Sequence, residues 1–238
     1  MPCGCAKPLP RITVVTTCYN DGRYLPDALA SVARQSCTTW EHVLVDNGST
    51  DVTPSVAAAW AQGNPRAHLV TLGPVRSQVE ALNVGVAASR APWIVVLNAD
   101  DMLERDALAT ILREAAARPD VNCLFSPWQW FGARADRYDF APYTGDARMV
   151  TEHQVPGIRA VRRDLWDALG GEDEKIGIGS DWDFAVRGAA AGLLRPYKIP
   201  RPLWRVRDHG PETVRLSAQC DHRTLRAHMA QHFAAVAA

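Results

Sequence analysis

The sequence lacks an excess of either charge and any long apolar run. It has 26 basic and 26 acidic residues in 238, and thus a formal net charge of zero. A chain with equal numbers of basic and acidic residues lacks the net positive charge that attracts nucleic acid or an anionic membrane. No run approaches the roughly 18 apolar residues of a membrane span, and no apolar signal sequence opens the chain. These absences predict a soluble cytoplasmic protein with no nucleic-acid partner and no integral membrane segment.

Cysteine is scarce and scattered. Of the six cysteines, only Cys3 and Cys5 lie close together, and no second pair completes a zinc site. Without a secretion signal, free thiols are expected rather than disulfides. Both residues fall within residues 1–10, which we predict to be a flexible leader.

Three loop motifs are also missing from the sequence. The turn TTCYNDGRY contains no G-x-G-x-x-G dinucleotide cradle. The chain has no G-x-x-x-x-G-K-[ST] phosphate loop, and no G-x-S-x-G nucleophile elbow. These absences argue against dinucleotide-binding, P-loop and α/β-hydrolase proteins. A diphosphate bound here needs another source of positive charge, such as a divalent cation held by carboxylates.

Apolar runs and helical patterns alternate through the first half of the chain. The runs predict strands at residues 12–17, 42–46, 67–72, 93–98 and 121–126. Alternation of this kind predicts an α/β fold, with a mostly parallel sheet covered by helices on both faces. A ligand is expected beyond the carboxyl ends of the strands.

The pattern becomes irregular after residue 126. Residues 127–160 are rich in aromatic residues, Gly and Pro, which indicates loops and an irregular sheet. We predict a helix at 180–192, a strand at 202–208 and a terminal helix at 212–235. No repeat or low-complexity linker interrupts the chain, so we expect a single globular domain.

Polar residues end two of the predicted strands. The letters DNGSTD begin at Asp46 and NADD begin at Asn98. Helix capping explains part of both stretches, including a capping box between Asp101 and Glu104. It leaves Asp46 and the carboxylate of Asp100 unexplained, although such oxygens suit Mg²⁺ or Mn²⁺.

Three stretches resemble the inverting glycosyltransferase family 2. They are ITVVTTCYNDGRYLPDALASVARQSCTTWEHVLVDNGSTD, SQVEALNVGVAASRAPWIVVLNADD and GGEDEKIGIGSDWDFAVRGAAAG. They occur in the family's order and span residues 11–192. The resemblance implies a GT-A fold and a metal-dependent inverting glycosyltransferase. Residues 11–126 then form the nucleotide-sugar-binding half, and residues 127–238 form the acceptor-binding half with a C-terminal helix.

The resemblance also implies contacts to the donor, a nucleoside-diphosphate sugar. Candidate donor-binding residues are Thr17, Tyr19, Asp46, Asn47, Arg76, Asn98 and Asp100. Asp100 corresponds to the family's metal ligand for Mg²⁺ or Mn²⁺. Tyr19 is suited to base stacking or to loop packing. Arg76 is suited to binding diphosphate, although an isolated surface arginine is more often simply solvated. Asn47 stands where the family has an acid, which leaves the base open because an amide both donates and accepts.

Asp181 corresponds to the family's catalytic base. An ordinary aspartate is ionised at neutral pH and can take the proton of an attacking hydroxyl. Helix capping by Ser180 and Asp183 is the structural alternative for this stretch. In the late segment LWRVRDHG, either His209 completes the metal shell or Arg207 contributes positive charge to the leaving group.

The acceptor is expected to be a hydroxyl on a small molecule, a glycan or a peptide. The aromatic residues Trp128, Trp130, Tyr138 and Tyr143 are candidates for sugar stacking and equally for core packing. Two other functions stay open at this point. One is a sugar-1-phosphate nucleotidyltransferase, and the other is a relative that binds a nucleotide-sugar or glycan without turnover. The oligomeric state is not predicted.

Overall fold

The computed structural model describes residues 9–157, 159–211 and 221–236. The strands are β1 Ile12–Cys18, β2 Trp40–Asp46, β3 Ala67–Thr71, β4 Trp93–Val96, β5 Met102–Leu103, β6 Cys123–Phe125, β7 Trp128–Gly132, β8 Arg137–Tyr138, β9 Ala160–Arg162, β10 Pro196–Lys198 and β11 Trp204–Asp208. The helices are α1 Leu25–Ala33, α2 Thr53–Gly63, α3 Gln78–Ala87, α4 Ala107–Ala117, α5 Arg163–Leu169, α6 Ser180–Ala190 and α7 His222–Val236, with a 3₁₀ turn at Ala147–Val150. Residues 1–8 of the predicted leader and 212–220 of the predicted terminal helix lie outside the described residues.

The main sheet has seven strands in the order β10-β6-β9-β4-β1-β2-β3. Neighbours pair in parallel except β9, which runs antiparallel to both β4 and β6. The mostly parallel α/β sheet is therefore confirmed. It also carries one reversed strand from the irregular part of the chain.

Helices cover both faces of this sheet because the side chains of its strands alternate between two cores. Val15 packs in the cluster that contains residues of α3, whereas Val14 packs in the cluster with residues of α1 and α4. Burying each such side chain contributes about 1.5–3 kcal/mol. β2 is buried along its whole length, as expected for a central parallel strand.

A second sheet of four strands, in the order β5-β11-β7-β8, covers the carboxyl end of the main sheet. β11 pairs in parallel with β7 and antiparallel with β5. β5 directly follows the NADD turn, so this pairing places the late segment of the chain beside the acids at residues 100 and 101. The predicted irregular sheet in residues 127–160 is present as β7 and β8.

Among the described residues, no helix is both long and apolar enough to cross a bilayer.

The central strands also bury a histidine. The Nδ1 atom of His42 accepts from the indole of Trp60 at 3.1 Å, and its Nε2–H donates to Thr16 Oγ1 at 3.1 Å. Burial lowers the pKa of His42 from 6.5 to about 3. The side chain is therefore neutral in the folded protein.

This depressed pKa predicts acid-sensitive stability. The unfolded chain takes up a proton near its ordinary histidine pKa, whereas the folded chain does not, so stability present above that pKa falls as the pH drops toward 3. When the pH is lowered from about 7 to about 5, protonation of His42 in the unfolded chain should lower the free energy of unfolding by about 2 kcal/mol. Urea unfolding at both pH values, compared with His42→Gln, measures the difference. Equal pH slopes for the two proteins would contradict a buried neutral histidine.

Candidate active site

The turn after β4 is built around a buried carboxylate. Asp101 is 2% exposed, and it accepts from the backbone N–H of Arg207 at 2.8 Å and from Asn98 Nδ2 at 2.9 Å. Burial, and then the charge of Asp100, raise the pKa of Asp101 well above its ordinary value. The predicted capping box of Asp101 with Glu104 is wrong, because the Asp101 carboxylate joins the turn to β11 instead.

Asp100 meets His209 at the rim of the sheet. Its Oδ2 lies 2.7 Å from Nε2 of His209, and the two side chains are 31% and 16% exposed. The ring of Tyr24 packs edge-on against the imidazole at 5.0 Å between ring centres. A carboxylate oxygen and an imidazole nitrogen from distant parts of the chain therefore converge as a pair of metal-type donors.

Arg207 has a different place from His209. Its Nε donates to the backbone carbonyl of Asp100 at 3.0 Å, and Nη2 pairs with Asp27 at 2.8 Å. Its guanidinium also lies over the rings of Phe131, at 4.4 Å, and Tyr24, at 4.8 Å. Through these contacts Arg207 stabilises the turn that contains Asp100.

The loop after β1 is tied to the loop after β2. Asn20 has a φ of 57°, a left-handed conformation that asparagine tolerates. Its Oδ1 accepts from the backbone N–H of Thr50 at 2.8 Å, and its own N–H donates to Ser49 Oγ at 3.0 Å. Asp51 accepts from the N–H of Gly22 at 3.0 Å. These bonds hold the two loops together at the sheet edge.

Asp46 and Asn47 differ in what they contact. Asp46 is 2% exposed and accepts from the N–H of Ser49 at 3.2 Å, so it closes its own turn. Both ends of the Asn47 amide bind the backbone of Arg76, with Nδ2 donating to its carbonyl at 2.8 Å and Oδ1 accepting from its N–H at 3.0 Å. Asn47 therefore fixes the segment before α3.

These loops surround a cavity of about 470 Å³. Six of the predicted donor-binding residues line it, namely Thr17, Tyr19, Asn47, Arg76, Asn98 and Asp100. The predicted residue Asp46 lies outside this lining, in its turn. Asp21 also lines the cavity and was missed, because the letters YNDG were interpreted only as a turn. Burial, and the nearby charges of Asp100 and Asp51, raise the pKa of Asp21, while a hydrogen bond from Tyr19 N–H opposes them.

A second cavity of about 490 Å³ adjoins the first. Both are lined by Gln78 and Asn98, so they meet at these two side chains. Asp181 lines the second cavity, and Trp128 and Trp130 of β7 form part of its wall. Asp100 and Asp181 thus line two different, neighbouring cavities that share two wall residues.

Asp181 lies in the first turn of α6, beside His153. The helix begins after Gly179, which has a φ of 96°. Oδ2 of Asp181 lies 3.4 Å from Nε2 of His153, and the ring of His153 stacks on Trp182 at 5.1 Å between ring centres. Burial raises the pKa of Asp181, but His153 and then Arg159 outweigh it and lower the pKa to about 2.

The structural alternative for this stretch, a helix cap formed by Ser180 and Asp183, is not present, because no side chain in the described part of the chain caps α6. Ser180 Oγ donates to Oε2 of Glu172 at 2.7 Å, and Asp183 pairs with Nε of Arg187 at 2.7 Å. Ser180 instead links the start of α6 to the loop before it.

Glu172 forms a buried ion pair that was also missed. It is 4% exposed, lines the second cavity and lies 3.0 Å from Nη2 of the fully buried Arg159. Burial raises the pKa of Glu172, and Arg159 opposes that rise. No sequence pattern marked Arg159 or His153 as site residues, because both lie in the irregular middle part of the chain.

Solved structures with this fold include two transferases. S. aureus TarS 1-349 in complex with UDP superposes with a TM-score of 0.72 at 16% identity, over 95% of this chain and 70% of that one. The mannosyltransferase PcManGT from Pyrobaculum calidifontis, in complex with GDP-Man and Mn²⁺, gives 0.65 at 20% identity, over 96% of this chain and 74% of that one. At these identities the likeness shows the GT-A fold.

Curated relatives and a family model agree with this fold. A PGL/p-HBAD biosynthesis glycosyltransferase of Mycobacterium bovis is 29% identical over 187 residues, 75% of this chain and 69% of the relative. Succinoglycan biosynthesis protein ExoO of Rhizobium meliloti is 36% identical over 109 residues, 46% of this chain and 31% of the relative. The model of glycosyl transferase family 2 matches residues 13–144. The chain therefore belongs to glycosyl transferase family 2 and is a glycosyltransferase.

Proposed function

We propose that the protein is a metal-dependent inverting glycosyltransferase that moves one sugar from a nucleoside-diphosphate sugar to an acceptor hydroxyl. The observation that carries this proposal is the pair of neighbouring cavities with Gln78 and Asn98 in both walls, one lined by Asp100 and the other by Asp181. The nucleotide occupies the first cavity, within residues 11–126. The sugar lies at the junction beside Gln78 and Asn98, and the acceptor enters the second cavity, lined largely by residues 127–238.

Asp100, which lines the first cavity, and His209 beside it are ligand types that fit a divalent cation. Asp100 and His209, which are hydrogen-bonded to each other at 2.7 Å, would hold Mg²⁺ or Mn²⁺ through a carboxylate oxygen and an imidazole nitrogen. Bound there, the ion supplies positive charge that neutralises the departing diphosphate. The Mn²⁺ and GDP-Man of the PcManGT structure support this assignment. Asn98 carries no charge, and its amide supports Asp101 behind the ligand pair.

Asp181 serves as the base. With a pKa of about 2 it is ionised at every physiological pH, ready to accept the proton of the attacking hydroxyl. His153 lies 3.4 Å from this carboxylate and lowers its pKa. The attack comes from the side of the sugar opposite the diphosphate, so the anomeric configuration inverts.

The walls of the second cavity suit a carbohydrate acceptor. Trp128 and Trp130 present indole rings there, and such rings pack against the apolar faces of sugars. The base of the donor stays open, because the Asn47 amide is already paired with Arg76. The UDP and UDP-GlcNAc of the TarS structures and the GDP-Man of PcManGT define the donors to test first.

Nucleotide binding should depend on the metal pair. We expect UDP or GDP to raise the Tm in the presence of Mn²⁺, and the rise to be largely lost in Asp100→Asn and His209→Ala. Saturation at about 100 times the Kd adds about 2.7 kcal/mol to stability, or roughly 5–10 °C for a chain of this size. Differential scanning fluorimetry measures the shift. If no nucleoside diphosphate stabilises the protein with or without Mn²⁺, the proposed donor site is wrong.

Loss of the base should abolish transfer without abolishing donor binding. Asp181→Asn keeps the shape of the side chain but cannot take a proton, so kcat should fall about 10²–10⁴-fold. Asp167→Asn, an exposed aspartate of the neighbouring helix α5, is the matched control and should retain full activity. Release of nucleoside diphosphate with a panel of glycoside acceptors gives the rate, and NMR of the product gives the anomer. Full turnover by Asp181→Asn, or a retained anomer, would refute the assignment.

The position of the Asp181 carboxylate should be as important as its charge. A Cβ atom added at Gly157 would lie 2.7 Å from Oδ2 of Asp181, so Gly157→Ala has to push the base aside. We expect at least about a tenfold loss of kcat from a small displacement of this kind. Gly63→Ala is the control, because a Cβ there meets nothing within 4 Å. Equal kcat values for the two variants would show that the Asp181 position does not matter.

A further inference from the structure

A second cluster of metal-binding side chains lies between α6 and α7, separate from Asp100 and His209. Asp183 is fully buried on α6, and His228 and His232 lie one turn apart on α7. Their Nε2 atoms lie 3.5 Å and 3.0 Å from the same Oδ1 atom of Asp183. The three ligand atoms all fall within 4.8 Å of one another.

Hydrogen bonding accounts for only part of this arrangement. His232 is at hydrogen-bond distance from Asp183, but Nε2 of His228 is buried and makes no hydrogen bond within the described ranges 9–157, 159–211 and 221–236. At 3.5 Å its contact with Asp183 is too long for a good hydrogen bond. Buried polar atoms are normally paired, so this nitrogen calls for a partner.

The distances match those around a tetrahedral metal ion. Ligand atoms about 2.0–2.1 Å from Zn²⁺ lie roughly 3.4 Å from one another, and the two measured separations fall on either side of that value. The other oxygen of Asp183 accepts from Arg187 at 2.7 Å. Such a hydrogen bond orients a ligating carboxylate and leaves Oδ1 for the ion.

We propose that Asp183, His228 and His232 bind a transition-metal dication such as Zn²⁺, which fastens α7 to α6. Two imidazoles favour Zn²⁺ over Mg²⁺, which prefers oxygen ligands. Water can complete the shell, because the side chains of His228 and His232 are 40% and 26% exposed. The ion reinforces existing packing, in which Leu225 of α7 lies against Gly179, two residues before Asp181. This site is structural and does not depend on the proposed donor chemistry.

Titration with Co²⁺, a spectroscopic substitute for Zn²⁺, tests the proposal on the full chain. We expect about one equivalent to bind with the visible d–d bands of a tetrahedral site, without the near-ultraviolet thiolate bands that cysteine ligands give. Zn²⁺ should displace it and Mg²⁺ should not. In His232→Gln, which can still hydrogen-bond to Asp183, we expect affinity to fall about 100-fold or more, since loss of even an outer partner costs about 10–100-fold.

Two controls separate this site from the rest of the chain. His222→Ala removes another α7 histidine and should bind Co²⁺ like the wild type. His209→Ala disables the proposed donor site and should also leave these bands unchanged. The proposal fails if the wild type shows no tetrahedral Co²⁺ spectrum, or if His232→Gln and His228→Ala bind as tightly as the wild type. It also fails if the bands vanish in His209→Ala, which would assign them to the donor site.

Discussion

The site depends on the hydrogen bonds that the buried carboxylate of Asp101 accepts. It accepts hydrogen bonds from the Asn98 side chain and from the Arg207 backbone, and so joins the end of β4 to β11. That junction brings His209 within 2.7 Å of Asp100. A buried carboxylate that loses its donors is strongly destabilising, so the two segments are held together firmly.

Several charged side chains around the second cavity hold the surrounding structure in place. The ion pair of Arg159 and Glu172 is almost wholly buried, and Ser180 extends it to the start of α6. Burying a charge is unfavourable unless it is paired and hydrogen-bonded, which is the case for Glu172. The network holds the first turn of α6, and therefore Asp181, in position beside His153. His153 and Arg159 lower the pKa of Asp181 despite its burial.

Much of the first cavity could be predicted from the sequence. Short apolar runs mark the central strands, and the ends of parallel strands meet at one edge, so residues 17, 98 and 100 were expected together. Local capping predictions were less successful. Asp101 and Ser180 belong to residue types that cap helices, yet their partners Arg207 and Glu172 come from other elements. Asp183 pairs instead with Arg187, one turn further along the same helix. A cap can be assigned from neighbours in sequence only when no other partner competes for the same side chain.

The sequence by itself determined the alternating strands and helices, the family and the carboxylates at the sheet edge, because those depend on local periodicity and short motifs. Only the tertiary structure decided that His209 contacts the Asp100 carboxylate whereas Arg207 binds the Asp100 backbone, that Asn47 binds the Arg76 backbone, and that His228 and His232 face Asp183. Each of these contacts joins residues from separate elements. Their geometry follows from how strands pair and helices pack, and a single sequence does not record it.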